Sequence, residues 1–490
     1  MDDMADTSFL AARPVASSTA SGPLVVDLDG SLVRTDTLIE CALAIAGRPL
    51  ALLRALFALR HGKARLKQEL AAAAKLDVAR LPYNRALLAY LRDQQAAGRT
   101  LILATAADRK LAQAVAQHLD IFDAVLASDG DISLSSAAKL AAIRGRVSGP
   151  FTYVGDSRAD LAVWSGAASG ICVNARRGVA RAAARATEIE RTFPSEAGWL
   201  RHLVRAVRPH QWAKNLLVFV PLVAARAIGD WAGWVEALVM FLAFCSTASG
   251  IYLINDLCDL AADRQHPNKS RRPFASGSLS LQTGLVAAPL LLLAGFALSL
   301  TVGALPLLLV YVACSCAYSL WLKSQPLVDV FTLAALYGLR LLAGGVATGY
   351  HVSLWLLAFS SFLFLSLAMV KRVAELMILP PGRKNPAAGR GYGVEDLQIV
   401  QLMGVASAFV ASLVLALYVQ SELSSAAGRQ PTLSWIIVPL VLFWECRVWF
   451  ATARGEMNDD PIVYAARDWV SWLVAGGGAA VLLLDNLVKS

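Results

Sequence analysis

The sequence predicts a soluble α/β domain built on a parallel sheet, followed by an all-α polytopic membrane domain of about nine transmembrane helices. Three observations predict it. Of 490 residues, 57% are hydrophobic and 17% charged, whereas soluble chains run nearer ~45–50% apolar and ~25% charged. The apolar residues are unevenly spread: residues 23–195 alternate short apolar strands with Ala/Leu/Arg-rich helical stretches, and long apolar runs follow after about residue 208. Lys and Arg exceed Asp and Glu by 45 − 36 = +9, and membrane topology accounts for that excess without a nucleic-acid partner. Seven cysteines with no C-x-x-C pair exclude a disulfide scaffold and the common zinc signatures.

Residues 1–22 read as a short disordered tail, Ala/Ser-rich with three early acids, and not as a secretory signal. The soluble domain spans 23–195. An amphipathic linker at 196–211, centred on Trp199-Leu200-Arg201-His202-Leu203-Val204-Arg205, follows. It is expected to lie at the membrane surface, the alternative being a plain exposed helix. The membrane domain then fills 212–490, with spans near 212–231, 234–254, 281–301, 303–321, 327–348, 353–372, 398–419, 434–452 and 469–487. Each is close to the ~20 residues that cross a bilayer. With nine spans, the loops after the second, fourth, sixth and eighth, taken with the span ends Lys371, Arg372 and Arg447, hold thirteen Lys and Arg residues, Arg383, Lys384 and Arg390 among them. The opposite side holds three, Arg226, Arg429 and Lys489. The positive-inside bias places the N-terminal domain and the basic loops in the cytoplasm, across a bacterial inner membrane.

In the soluble domain, the apolar strand Pro23–Val26 runs into Asp27-Leu28-Asp29-Gly30. Residues two apart on a strand face the same way, so Asp27 and Asp29 converge at its carboxyl end, where open parallel sheets bind ligands. Crowded carboxylates need a cation, and hard oxygen ligands suit Mg²⁺. A second strand, Thr100–Ala104, is expected to end at Thr105, whose hydroxyl would hold a phosphate oxygen. Lys139 falls at a helix start, and a third strand, Phe151–Val154, ends in Gly155-Asp156-Ser157-Arg158-Ala159-Asp160.

Those four elements, in that order, resemble the haloacid dehalogenase superfamily in its phosphatase branch, over about residues 23–190. The resemblance implies a Rossmann-like α/β fold and an aspartyl-phosphate mechanism. Asp27 would be the nucleophile and Asp29 the general acid and base. Thr105 and Lys139 would bind the phosphoryl group, and Asp27, Asp29, Asp156 and Asp160 would surround Mg²⁺. The helical insert at about 38–95 would be the cap that selects substrate.

In the membrane domain the second span ends in Asn255-Asp256-Leu257-Cys258-Asp259, then Asp263-Arg264. Spacings of three and four put Asp256, Asp259 and Asp263 on one face of a continuous helix. Carboxylates at a membrane boundary are costly unless solvated or holding cations. His266, Lys269, Arg271 and Arg272 follow at once, a basic cluster suited to phosphate oxygens. Acids that hold Mg²⁺ beside Arg and Lys describe a diphosphate site. This pattern resembles the membrane-embedded UbiA-type prenyltransferases, over about 208–490. The second acidic motif of that family is reduced here: Tyr318-Ser319-Leu320-Trp321-Leu322-Lys323 leads only to Asp329.

The rest of the domain is similar to one branch, the decaprenyl-phosphate phosphoribosyltransferases. The carrying residues are Arg208-Pro209-His210-Gln211-Trp212-Ala213-Lys214-Asn215, Asp263 to Lys269, and Arg271-Arg272-Pro273. Lys371-Arg372 with Glu375, Arg390-Gly391-Tyr392 with Glu395-Asp396, and Arg454 to Pro461 complete the set. The resemblance implies phosphoribosyl diphosphate as donor and a polyprenyl phosphate as acceptor. Asp256, Asp259 and Asp263 would hold Mg²⁺ on the leaving diphosphate, positioned by Asn255. Arg264, His266, Lys269, Arg271, Arg272, Tyr318, Lys323 and Asp329 would line the substrate, and Lys214 would hold the lipid phosphate. Arg340, inside the fifth span, is either a buried structural partner or a phosphate contact. The competing reading is an aromatic-acceptor prenyltransferase using a polyprenyl diphosphate, fused to an unrelated phosphatase. Either is compatible with a homo-oligomer.

Overall fold

The structure, a computed structural model, describes residues 22–130, 132–195, 198–378, 391–423, 433–457 and 460–489. The tail at 1–21, the basic residues Arg383, Lys384, Arg390 and Arg429, and the pair Asn458-Asp459 lie outside the described residues. The chain divides into two compact units. The first holds residues up to His202 together with Asp256–Thr283, and the second holds Leu203–Asn255 and Gly284–Ser490.

Unit 1 is built on β1 (Leu24–Val26), which feeds a helical insert of α1 (Thr37–Ala44), α2 (Pro49–Ala58), α3 (Lys63–Ala74) and α4 (Arg85–Ala96). Then alternate β2 (Leu101–Asp108), α5 (Arg109–Leu119), β3 (Ala124–Ser128), α6 (Ser136–Arg146) and β4 (Thr152–Gly155). The short α7 (Leu161–Trp164), β5 (Ser169–Val173), α8 (Arg177–Ala186) and β6 (Glu188–Phe193) complete it. The six strands lie in the order β3-β2-β1-β4-β5-β6, and every neighbouring pair is parallel. Buried on both faces, β1 reads as a continuous apolar run, as parallel sheets require. Leu24, Val26, Leu101, Leu103, Val154 and Ile171 pack one face, and Val25, Ile102, Ala104, Tyr153 and Cys172 the other. The central β1 thus delivers Asp27 to the carboxyl edge of the sheet.

The linker forms α9 (Trp199–Val207), which exposes Trp199, Leu200 and Val204. In unit 2 the expected first span is not one helix. Arg208 takes a left-handed φ of 55°, Pro209–Phe219 winds as a 3₁₀ segment, and only α10 (Val220–Ala224) is α-helical. Prolines at both starts supply no amide to a continuous i to i−4 ladder. The later helices are α11 (Trp231–Cys258), α12 (Leu260–Gln265), α13 (Leu281–Thr301), α14 (Leu305–Leu320), α15 (Val328–Thr348) and α16 (Leu354–Met377). They are followed by α17 (Leu397–Tyr418), α18 (Ile437–Ala453), α19 (Pro461–Arg467) and α20 (Trp469–Lys489). Among the described residues six helical segments are long and apolar enough to cross a membrane, within α11, α13, α15, α16, α17 and α18, while those of α14 and α20 are shorter. Nine spans are thus not confirmed among the described residues.

Candidate active sites

At the sheet edge the motif residues assemble around Lys139. Its ammonium donates to Asp27 Oδ1 at 2.7 Å and to the Tyr153 hydroxyl at 2.9 Å, and reaches Asp160 Oδ1 at 3.4 Å. Tyr153 donates its own proton to Asp160 Oδ1 at 2.6 Å. The other oxygen of Asp160 accepts from the Asp156 and Ser157 amides and the Ser157 hydroxyl. Asp160 thereby fixes both the turn after β4 and the lysine. Carboxylate oxygens of Asp27, Asp156 and Asp160 lie within 4.8 Å of one another, which suits a small hard cation. Asp29 stands outside this group. Its Oδ1 accepts the Thr37 amide at 2.8 Å, holding the carboxylate at the entry to the insert. Between the two acids, Gly30 takes φ of 78°, and a Cβ there would lie 2.1 Å from Asp156 Oδ2.

The electrostatics follow from burial. Desolvation pushes Asp27 up to about 7, with Lys139 offsetting part of it. Burial and the neighbouring Asp36 raise Asp29 to about 6. Burial, then the charges of Asp27 and Asp160, raise Asp156 to about 8. Burial also works against an ionised Asp160, but Lys139, Tyr153 and Ser157 outweigh it and hold its pKa low. A site whose carboxylates resist ionisation until a cation arrives is the electrostatic complement of a metal centre.

Thr105 is placed differently from the expectation. Strand β2 runs on to Asp108, Thr105 is fully buried, and its hydroxyl accepts the Ala107 amide at 3.0 Å. The adjoining cavity, about 620 Å³, is lined instead by Ala106, Ala107 and Asp108, with Asp27, Asp29, Lys139 and Asp156. Lys67 of α3, which sequence reasoning passed over, also lines it and donates to Ala106 O at 2.6 Å. One basic residue beside Lys63 and Arg65 in the same helix carries no local signal, and Tyr153 reads as an ordinary strand core residue.

The acidic stripe is also rearranged. Helix α11 ends at Cys258, Asp259 takes a non-helical conformation, and α12 starts at Leu260. Asp256 and Asp263 are buried while Asp259 is exposed, so the three do not form a single helical face. Arg272 bridges the two buried acids, at 3.0 Å to Asp256 and 2.7 Å to Asp263. Among the described residues these carboxylates do not form a metal-ligand group; the guanidinium supplies the positive charge. Arg264 pairs with Glu40, and the ring of His266 accepts the Asn268 and Lys269 amides as a turn cap. Lys269 and Arg271 sit in the 3₁₀ turn between Asn268 and Arg272.

Unit 2 contains its own cavity, about 450 Å³. Lys214, Asn255 and Tyr318 line it, joined by Arg208, Tyr252, Tyr311, Tyr337, Lys371 and Asp460. Asp460 holds Lys214 at 2.6 Å and Lys371 at 3.3 Å. Arg340 lines the same cavity and is largely buried. It donates to Asn215 Oδ1 at 2.8 Å and to the Tyr311 hydroxyl at 3.0 Å. It is therefore both a structural partner and a cavity wall. Lys323 and Asp329 do not line it. Asp329 is fully buried, ion-paired with Arg372 at 2.7 Å, and accepts from Tyr392 at 2.7 Å, so this remnant acid braces α15 against α16.

Comparison with known proteins agrees with both halves. Residues 24–164 match the model of haloacid dehalogenase-like hydrolases, and residues 216–461 match that of the UbiA prenyltransferase family. The uncharacterized protein y4nM of Sinorhizobium fredii is 35% identical over 92% of this chain and 89% of its own length. Nodulation protein NoeC of Azorhizobium caulinodans is 38% identical, covering 58% of this chain and 93% of that protein. Decaprenyl-phosphate phosphoribosyltransferase of Corynebacterium glutamicum is 36% identical, covering 46% and 70% respectively. The chain belongs to the UbiA prenyltransferase family, as an integral membrane protein whose transferase domain is preceded by a haloacid dehalogenase-like hydrolase domain.

Proposed function

We propose that the chain is a bifunctional enzyme that transfers 5-phosphoribose from phosphoribosyl diphosphate to a polyprenyl phosphate, and then removes the 5-phosphate. The observation that carries the first step is the unit 2 cavity, where, among the described residues, Arg208, Lys214, Arg340 and Lys371 are set against Glu375 and Asp460. A pocket with that excess of cations suits phosphate oxygens, and a relative of the same domain bears the name of this activity. A lipid phosphate oxygen attacks the anomeric carbon, the bond from that carbon to diphosphate oxygen breaks, and diphosphate leaves. Lys214 and Lys371 neutralise charge on the phosphates, with Asp460 keeping the two ammonium groups in register. Asn255 and Tyr318 orient the donor. Of the three acids the resemblance assigns to a metal, Asp256 and Asp263 are already neutralised by Arg272, so the transfer step is not routed through a metal there. Arg264, His266, Lys269 and Arg271 shape the segment that carries those acids.

In the hydrolase domain, Asp27 attacks the phosphorus of the 5-phosphate, and the ester oxygen leaves with a proton from Asp29. An acid pushed up to about 6 is well matched to donate near neutrality. Asp29 then takes a proton from the water that cleaves the aspartyl-phosphate. Lys139 holds the phosphoryl oxygens, at a cavity wall formed by Ala106 and Ala107. Mg²⁺, held by Asp27, Asp156 and Asp160, would neutralise phosphoryl charge. The product, polyprenyl-phosphoryl-ribose, would supply pentose for cell-envelope glycans at the cytoplasmic face of a bacterial inner membrane. The two active sites on one chain raise the local concentration of the intermediate. The assay is transfer of labelled phosphoribose to polyprenyl phosphate in detergent with Mg²⁺: a labelled lipid supports the reading, and label moving only from prenyl diphosphate to an aromatic acceptor replaces it.

A further inference from the structure

The segment Asp256–Thr283 is packed within unit 1, and two attachments hold it there. Arg264 donates from its two terminal nitrogens to the two carboxylate oxygens of Glu40, at 2.7 and 2.6 Å. Both side chains are nearly buried, 8% and 2% exposed. A fork-to-fork pair of this kind fixes direction as well as distance, and Glu40 lies on α1, the first helix of the insert. The second attachment is Gly277, whose φ of 71° turns the chain against Arg34 and Pro82 so closely that a Cβ would meet them at 2.8 and 3.1 Å. Beyond this turn Ser280, Leu281 and Gln282 line the same cavity as Asp27, Asp29 and Lys139.

That cavity therefore has two chemically different walls. The sheet edge supplies a lysine and a cluster of carboxylates able to hold a cation, a pairing suited to a phosphoryl group. Ser280 and Gln282 are exposed neutral residues with hydrogen-bonding side chains, suited to hydroxyl groups instead. We propose that residues 264–282 form the substrate-selecting wall of the hydrolase site, clamped to the insert by the Arg264–Glu40 pair, with Ser280 and Gln282 recognising the hydroxyls of a sugar phosphate. This rests on the phosphatase reading given above. The segment that carries the transferase acids is then also a specificity element of the hydrolase.

The test compares hydrolysis of ribose 5-phosphate and para-nitrophenyl phosphate by the full chain in detergent with Mg²⁺. Gln282→Ala removes an exposed side chain, and it lowers the kcat/KM ratio of the sugar phosphate over the aryl phosphate about fivefold, the loss of one ordinary hydrogen bond. Glu40→Gln leaves Arg264 half-satisfied and lowers the same ratio about tenfold or more, and the swap Glu40→Arg with Arg264→Glu recovers most of it. Equal effects on both substrates, or none, overturn the proposal. Hydrogen exchange supplies a readout independent of turnover. Ribose 5-phosphate with Mg²⁺, bound to the Asp27→Asn chain so that it is not turned over, protects residues 264–282 as well as the sheet edge if the segment is a wall. Protection at the sheet edge alone overturns the proposal and leaves the phosphatase reading standing, whereas protection nowhere and no hydrolysis overturns both.

Discussion

Asp27→Asn is expected to abolish phosphomonoester hydrolysis and yet to stabilise the metal-free protein at alkaline pH. The carboxylate is held at the end of β1 with 6% exposure, and burial raises its pKa from 3.8 to about 7. A group with a raised native pKa contributes stability below its unfolded value and loses it as pH rises through the native one. Three units at about 1.4 kcal/mol each set a ceiling of roughly 4 kcal/mol on that loss by pH 8. Asparagine carries no charge to desolvate, but it also leaves Lys139 with Asp160 as its remaining ionic partner, which returns about half the gain. A net gain of about 2 kcal/mol corresponds to ~4–8 °C for a domain of this size. Asp29 and Asp156, also raised, still lose stability over the same range in the variant. Asp160 is shifted the other way, and its contribution is lost only below about pH 4. The assay is thermal unfolding of the full chain in metal-free detergent buffer at pH 5 and pH 8. A gain at pH 8 that vanishes at pH 5, and reverses when Mg²⁺ is added, is the predicted result. An equal or lower Tm at pH 8, or a shift independent of pH, refutes the electrostatic argument.

Three further outcomes follow from the same geometry. Lys139→Met leaves the cluster of carboxylates without its cation and lowers phosphomonoester turnover at least a hundredfold, read as kcat with para-nitrophenyl phosphate; a change confined to KM contradicts the assigned role. Asp460→Asn releases Lys214 and Lys371 from their shared partner, costs about 2–4 kcal/mol of ordering in the cavity, and raises KM for phosphoribosyl diphosphate more than tenfold in the transfer assay. Asp329→Ala leaves the buried Arg372 with Glu375 as its remaining carboxylate and destabilises unit 2 by about 3 kcal/mol, read as loss of the monodisperse peak in detergent. The paired change Asp329→Leu with Arg372→Met restores that peak without needing the acid for transfer.

The parts legible in the sequence were those whose signal is local. Asp27 and Asp29 announce themselves because an apolar strand delivers them, and Asp156 and Asp160 because a tight turn follows β4. The soluble and membrane halves separate on composition alone, since a lipid-facing helix cannot share the surface chemistry of a water-facing one. What failed depended on conformations set by tertiary context. Hydropathy treats residues 212–231 as one span, yet the backbone there winds as a 3₁₀ segment and a short α-helix. Helical spacing aligned Asp256, Asp259 and Asp263, but the break at Asp259 turns the stripe into two buried acids around Arg272. Thr105 had the right residue type at the right strand, and one extra turn of strand pairing buried its hydroxyl. The Glu40–Arg264 pair spans 224 positions, beyond any pattern a single sequence displays.

The central claim is tested most directly by one reaction: full chain in detergent, Mg²⁺, polyprenyl phosphate and radiolabelled phosphoribosyl diphosphate, run with the native protein and with Asp27→Asn, and the lipids separated. The account predicts a ribosyl lipid from the native protein and a phosphorylated ribosyl lipid accumulating only in the variant. The same lipid from both would detach the hydrolase from the transferase product, and no labelled lipid from either folded protein would contradict ribosyl transfer itself.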